Sequence, residues 1–459
     1  MKRTLFIFLA CVISLATAAD RPNIVLIMAD DIGYECLSCY GSESNKTPNL
    51  DALAASGMKF NHAHSQPICT PSRVQIMTGI YNNRNYVKFG YLDPAQTTFG
   101  NVLRDAGYQT AIAGKWQLEG GYEGVKNFGF DRHCLWQLTR RPSRYPNPGL
   151  EIDRVEKDFK EGQFGPDLVS NYVCDYMAEK KGDDPFFVYY PMIMPHWPFV
   201  PTPDSEDWDP TMWRNEKGEP GGYKGPEYWP DMVRYTDKMV GKVVNKVEAL
   251  GIRDNTLIIF TGDNGTYESI TTKIKGKDYK GGKSYMTDNG THVAFLASWP
   301  GKIKAGTSSD ALVDFSDVLP TLTGAAGVTT PEGLDGKSLM PVFTGEGERN
   351  KDHIFCWYSR DGVRDKAKQF VRDQRYKLYS DGRFFETASD LLEKNPIKKD
   401  GMSEELAARH KELKEALVAH TARTTEYDSV QNGKRDKLGA NKPKKKKEKK
   451  PKKKKPAAQ

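Results

Sequence analysis

A short, uninterrupted apolar run, Asn23-Ile-Val-Leu-Ile-Met28, ends abruptly in Ala29-Asp30-Asp31. A run of that length, rich in β-branched residues, predicts a strand buried on both faces, as in a parallel sheet. Thr256-Leu-Ile-Ile-Phe260 repeats the pattern and is followed closely by Gly262-Asp263-Asn264-Gly265. Thr110 to Ala113, Pro185 to Tyr190 and Ala294 to Ala297 predict further strands. Helical signals lie between them. Thr47-Pro48-Asn49 before Leu50, Leu53 and Ala54 reads as a capped helix. Phe99 to Ala106 predicts a short one, and Met232, Tyr235, Met239, Val243 and Val247 keep helical spacing within Tyr228 to Leu250. This alternation predicts an α/β fold: a large, mostly parallel sheet sandwiched by helices. After about residue 345 the pattern changes. Phe370-Val-Arg and Tyr376-Lys-Leu-Tyr379 predict short antiparallel strands, and Glu404 to Ala422, with Leu406, Leu413 and Leu417 on one face, predicts a helix. These make a smaller C-terminal α+β subdomain.

The two ends of the chain are of another kind. Lys2 and Arg3 precede the apolar stretch Leu5 to Leu15, and Ala16-Thr17-Ala18 is a small-residue cleavage pattern. Residues 1–19 therefore read as a signal peptide and the mature protein as exported: periplasmic, extracellular or bound to the cell surface. No later stretch is long and apolar enough to predict a transmembrane span. The expected organisation is a catalytic α/β domain over 20–345, the subdomain over 346–430 and a Lys-rich tail over 431–459. Residues 441–459 hold eleven lysines and one glutamate, so they carry +10 of the chain's net +7 and leave −3 for the rest. The basic balance thus belongs to the tail, which cannot form a core and is expected to be disordered. It reads either as an attachment to an anionic polymer or surface, or as a solvated extension with no specific partner. Nucleic acid is not an expected partner of an exported chain.

The acidic strand ends change the picture from fold to chemistry. Asp30-Asp31 and Asp263-Asn264 offer oxygen donors at the carboxyl ends of two strands, where sites of open α/β sheets lie. Such a set suits one hard divalent cation: Ca²⁺, which accepts flexible oxygen cages, ahead of Mg²⁺, which prefers stricter octahedra. Each doublet alone reads equally well as a turn at a strand end. Cys69-Thr70-Pro71-Ser72-Arg73 is similarly ambiguous: a free thiol in a turn entering a helix, or a functional cysteine. Cys36-x-x-Cys39 has no second pair at zinc-binding spacing. Export permits disulfides among the six cysteines after residue 19 but does not require them.

Taken together, the blocks resemble the type I, formylglycine-dependent sulfatases of the alkaline phosphatase superfamily, over roughly residues 21 to 390. The resemblance is carried in order by Arg21-Pro-Asn-Ile-Val-Leu-Ile-Met-Ala-Asp-Asp31, Thr47-Pro48-Asn49-Leu50-Asp51, Cys69-Thr-Pro-Ser-Arg73 with Thr78-Gly79, and Gly114-Lys115-Trp116. Pro195-His196, Gly262-Asp263-Asn264-Gly265, Gly282-Lys283, Trp299-Pro300-Gly301 and Asp317-x-x-Pro320-Thr321 continue it. It implies that Cys69 is oxidised to formylglycine by a separate formylglycine-generating enzyme. One hydroxyl of the hydrated aldehyde would attack sulfur, and the other would expel sulfate. It further implies a divalent metal held by Asp30, Asp31, Asp263 and Asn264 together with the modified Cys69. Arg73 and Lys115 would hold the hydrate, Lys115 and Lys283 would neutralise the sulfate, and His196 would help protonate the leaving group.

Two departures stand out. The block Gly114-Lys115-Trp116 usually continues with His-Leu, and here it continues with Gln117-Leu118. A glutamine hydrogen-bonds but is no base, so Gln117 reads as a positioning residue. Asp288 to Ala294 also departs from the family pattern, and His292 there is expected to pack rather than to meet substrate. His133, Trp136, Arg140, Arg141 and Arg144, and then Trp197, Trp208 and Trp213, are aromatic or basic stretches that read either as walls of a sugar cleft or as ordinary loops. A sulfated carbohydrate is the expected substrate class. The alternatives are a phosphodiester or phosphonate monoester hydrolase on the same scaffold, or a sulfated-glycan binding protein without turnover.

Overall fold

The strand Asn23–Ala29 sorts its side chains into two cores. Ile24, Leu26 and Met28 enter one hydrophobic cluster, and Val25, Ile27 and Ala29 enter the other. That is why the run is continuously apolar: successive side chains point to opposite faces, and both faces are covered. The computed structural model describes residues 21–182, 184–211, 225–347, 351–398 and 400–425, and these belong to one compact unit. The expected signal peptide, the Lys-rich tail and Trp213 lie outside the described residues.

Asn23–Ala29 is central in a ten-stranded sheet. From one edge the order is Thr307–Asp314, Met58–His64, Phe295–Ser298, Thr256–Gly262, Asn23–Ala29, Phe186–Pro191, Gln109–Lys115, Arg132–Trp136, Gly149–Ile152 and Val155–Asp158. The four strands from Thr256–Gly262 to Gln109–Lys115 run parallel to one another, and Arg132–Trp136 continues them. Phe295–Ser298 is antiparallel to both neighbours, and the last three strands form an antiparallel meander. The long helix Trp229–Ala249 buries Met232, Tyr235, Met239, Val243 and Val247 against one face. The helix Phe99–Asp105, capped by a reciprocal Thr98–Asn101 pair, buries Phe99 and Leu103 against the other.

The C-terminal part is a four-stranded antiparallel sheet, Ile354–Tyr358, Lys368–Arg372, Tyr376–Tyr379 and Phe384–Glu386, covered by the helix Glu404–Thr421. Phe370 pairs with Tyr379, so the two expected strands are neighbours. Leu413 and Leu417 are buried in the same cluster as Val74, Tyr81 and Val313. Beneath this sheet Lys377 and Glu393 form a fully buried ion pair at 2.8 Å.

One glycine limits how closely the strands can carry the site. Gly114 has φ +125, and a Cβ there would sit 1.9 Å from the Pro191 carbonyl oxygen. It lies just beyond the parallel pairing with Phe186–Pro191, which ends at Ile112, and directly precedes Lys115. Gly382, at φ +87 with nothing within 4 Å, has the backbone constraint but not the close approach. Gly114→Ala is expected to destabilise the protein by at least about 2–4 kcal/mol, against roughly 1 kcal/mol for Gly382→Ala. Urea unfolding of the two variants checks the difference.

Candidate active site

The parallel register brings the two acidic doublets together. Ala29 pairs with Gly262, so Asp30-Asp31 and Asp263-Asn264 leave adjacent strands at the same level. The Asp263 N–H donates to the Ala29 carbonyl at 2.9 Å, and the Asp31 N–H donates to Asp263 Oδ1 at 2.9 Å. Asn264 Nδ2 donates to Asp31 Oδ1 at 2.9 Å. All four residues are fully buried. Asp31 adopts φ +70, a left-handed conformation uncommon for a non-glycine residue and typical of functional positions.

Four cations surround these carboxylates. Lys115 Nζ donates to both Asp30 oxygens, at 2.7 and 2.9 Å. Arg144 Nη1 reaches Asp30 Oδ2 at 3.2 Å. Lys283 Nζ donates to Asp31 Oδ2 at 2.5 Å. Arg73 Nη2 lies 3.4 Å from Asp263 Oδ2, and its Nη1 donates to the Lys115 carbonyl at 2.9 Å. Burial alone would raise the Asp30 pKa, but Lys115, Arg144 and Arg73 hold it well below the usual carboxylate range. Asp31 is lowered in the same way, against burial, by Lys283 and Lys115. Asp263 is not: burial and then the neighbouring Asp30 push it up to about 7. Lys283 is raised, because the carboxylate of Asp31 outweighs its burial.

His196 completes the rim. Its Nε2 lies 3.5 Å from Asp31 Oδ2, and its Nδ1 faces the Trp197 carbonyl at 2.5 Å. A carbonyl cannot donate, so Nδ1 carries the proton of the neutral ring and Nε2 turns a lone pair toward the acids. Burial and Arg144 keep His196 well below its ordinary pKa. The Tyr145 hydroxyl fixes this loop by sharing its one proton between the Ile193 and His196 carbonyls, at 2.9 and 2.5 Å.

Cys69 is the first residue of the helix Cys69–Thr78, whose ten residues are all buried. Complete burial explains why no helical periodicity marked this segment. Ser284 N–H donates to the Pro67 carbonyl at 2.7 Å, which ties the Lys283 loop to the segment entering Cys69. Gln117 follows Trp116 in a left-handed conformation, φ +59, and its Oε1 is buried without a hydrogen-bond partner among the described residues.

The residues fit a cation. Asp30, Asp31 and His196 place ligand atoms within 4.8 Å of one another. Asn264 Oδ1 is a buried carbonyl oxygen without a donor among the described residues, a costly state that a cation relieves. Asp263 joins through its bond to the Asp31 amide, while Cys69 is outside the three-residue cluster. A mostly oxygen donor set of this kind suits a hard divalent ion.

The other candidates divide. His292 stacks on Tyr34 at 3.9 Å and is held by Asp288 and the Asn61 carbonyl, so it packs. His133 accepts from the Arg154 amide. Arg140 pairs with Glu156 and Asp158, away from the acids. Arg144 alone of that stretch reaches them, stacked on Trp136 at 3.9 Å. Its role was hidden among several arginines, and only the stacking tryptophan eight residues earlier hinted at it. Trp208 packs on Phe164, and Trp197 is exposed. The six cysteines among the described residues are free, and Cys36 contacts Glu35 and Thr266.

Comparison with known proteins agrees with the blocks and the geometry. Residues 22–328 match the Sulfatase family, and residues 280–422 match the N-sulphoglucosamine sulphohydrolase C-terminal family. Arylsulfatase A of Homo sapiens is 33% identical over 411 residues, which cover 81% of this chain and 77% of that protein. An N-acetylglucosamine-6-O-sulfatase of Bacteroides thetaiotaomicron is 25% identical, covering 88% of each. Among solved structures, Ps i-CgsB in complex with k-i-k-neocarrahexaose superposes with a TM-score of 0.73 at 25% identity, covering 90% of this chain and 97% of that one. The chain belongs to the sulfatase family, within the alkaline phosphatase superfamily. It is a sulfuric ester hydrolase.

Removing Arg73 leaves Asp263 without its facing cation in a fully buried site. In chelator-treated protein, Arg73→Ala is expected to cost about 3–5 kcal/mol, and Asp263→Asn in the same background is expected to recover most of that loss. Denaturant unfolding of the two single variants and the double variant measures it.

Proposed function

We propose that this enzyme is exported and hydrolyses a sulfate ester on a sulfated carbohydrate, using formylglycine made from Cys69 and one divalent cation. The observation that carries this reading is the convergence of the Cys69 helix, through Arg73, on the acid cluster that Lys115 and Lys283 also contact. The carbohydrate is supported by the relatives: one is an N-acetylglucosamine-6-O-sulfatase, and a structural neighbour holds a carrahexaose. Among the described residues no helix is long and apolar enough to cross a membrane, which is compatible with export. Residues 20–345 then form the catalytic domain and 346–430 its subdomain. Maturation calls for a formylglycine-generating enzyme as partner.

Asp30, Asp31, Asp263 and Asn264 would hold the cation, Ca²⁺ ahead of Mg²⁺, with the modified Cys69 as a further ligand. When bound, it supplies positive charge to a sulfate oxygen and to the nucleophilic hydroxyl. Formylglycine supplies that hydroxyl as half of a geminal diol, whose other half allows the covalent step to be undone. The remaining work falls to the chain's own side chains. Arg73, anchored on the Lys115 carbonyl, orients the first turn of the Cys69 helix. Lys115 and Lys283 would present ammonium groups to the sulfate as charge moves onto its oxygens, with Lys115 buried and Lys283 partly exposed. Lys283, held protonated by Asp31, would donate to the ester oxygen as it leaves, and His196 would share that role only once its Nε2, which faces the site, takes up a proton. Gln117 positions the hydrate in place of the usual histidine. The net reaction adds water across the ester and yields an alcohol, sulfate and a proton.

Coexpression with a formylglycine-generating enzyme tests the reading. The expected results are a mass loss localised to Cys69 and turnover of aryl sulfate and sulfated glycans. Cys69→Ala is expected to lower that turnover by at least about 10³-fold. Turnover of aryl phosphodiesters alone would replace sulfate with phosphorus as the substrate centre. Full modification without turnover on a broad sulfated-glycan panel would make the chain a binding protein.

A further inference from the structure

A cavity of about 180 Å³ opens beside the Lys283 loop. One wall is the loop that begins with Ser284 and Tyr285, and the other is the C-terminal sheet, through Tyr358, Lys368, Tyr379 and Arg383. Both walls are tied to the segment that leads into Cys69. The Ser284 N–H donates to the Pro67 carbonyl at 2.7 Å, and Cys356 Sγ donates to Gln66 Oε1 at 3.2 Å. Ser284 itself takes φ +74, a left-handed conformation rare for a serine, and so turns Lys283 toward Asp31 and Tyr285 toward the cavity rim. The cavity is thus the neighbour of the reaction centre, not a remote feature.

Its chemistry is one-sided. Its lining is mostly apolar, and among the described residues its charged groups are two cations, with no carboxylate. Lys368 is exposed. Arg383 lies over the Tyr379 ring at 4.5 Å, and its Nε donates to the exposed Asp381 at 2.9 Å, which leaves the rest of the guanidinium fork available. Tyr379 is a rigid wall, because its hydroxyl is committed to buried Glu393 and to the Met286 carbonyl at 3.0 Å. Tyr285, 55% exposed, offers a ring face at the rim. Aromatic faces beside a lysine and an arginine fork match a sugar ring that carries an anionic substituent.

We propose that this cavity is a binding subsite for a second anionic group, a carboxylate or a sulfate, on the same carbohydrate whose sulfate ester is cleaved at Cys69. Lys368 and Arg383 bind that anion, and Tyr285 and Tyr358 flank the sugar that bears it. The proposal rests on the sulfatase reading of the Cys69 site and sharpens its substrate class: a carbohydrate with at least two anionic groups, one of them the reacting sulfate.

The test uses the full chain, matured with a formylglycine-generating enzyme, and four substrates. These are 4-nitrophenyl sulfate, a monosulfated disaccharide with a neutral second sugar, the same disaccharide with a uronate, and its disulfated counterpart. The wild type is expected to prefer a doubly anionic disaccharide, and Lys368→Ala/Arg383→Ala is expected to cut kcat/KM on it about tenfold more than on 4-nitrophenyl sulfate, chiefly through KM. The uronate and disulfated arms decide which anion the subsite takes. Calorimetric binding to the Cys69→Ala protein, with and without the double substitution, is expected to show the same loss without turnover. Equal losses on all four substrates, or no loss on either doubly anionic one, overturn the subsite. If the matured wild type cleaves none of the sulfates while the calorimetric preference persists, the sulfatase reading fails and the subsite stands.

Discussion

The structure depends on keeping three carboxylates dry at one place. Asp30, Asp31 and Asp263 are each fully buried, and a buried carboxylate is tolerable only with cations and hydrogen bonds around it. The parallel pairing of Ala29 with Gly262 forces the proximity. Compensation then has to come from elsewhere: Lys115 from the end of a strand two places along the sheet from Asn23–Ala29, Arg73 from a helix, Arg144 and Lys283 from loops. The long-range connections of the chain are in this sense the means by which one cluster of negative charge is balanced. Balance is incomplete at Asp263 and Asn264, and that is where a divalent ion has something to contribute.

Much of this was legible along the chain because burial on both faces leaves a plain mark. Runs such as Asn23–Ala29 and Thr256–Gly262 are apolar throughout, and Trp229–Ala249 shows its buried stripe at helical spacing. The acids at the strand ends and the block around Cys69 followed from order and resemblance. Other elements carried weaker marks. Thr307–Asp314 is an edge strand whose first half is polar and partly exposed, so it shows no apolar run. Gly165–Lys180 buries Val169, Val173 and Met177, but polar residues and a proline at its start blur the pattern. Of the site, the approach of Arg144 to Asp30 was out of reach, since it depends on a loop closing across 114 residues.

The C-terminal sheet has two duties that its size does not advertise. It closes one hydrophobic core, with Phe355, Val371 and Leu378 sharing a cluster with Val74 of the Cys69 helix. It also stands against the loop that presents Lys283, and its buried Lys377–Glu393 pair holds Tyr379 and the Met286 carbonyl in place. A residue far from Cys69 in sequence can therefore shape what approaches the reaction centre.

The burial of the helix Cys69–Thr78 sets an order of events in time. Cys69 is 2% exposed, and every residue of the pentapeptide that a maturation enzyme would read is enclosed by the fold. On the formylglycine reading, that enzyme must meet the segment as an extended nascent chain, and each molecule has a single window in which to be activated. Closure of the core and oxidation of the thiol become competing clocks. A variant that folds faster, or a cell in which the maturation enzyme is scarce, would then accumulate well-folded protein whose inactivity no later treatment of the native state could repair.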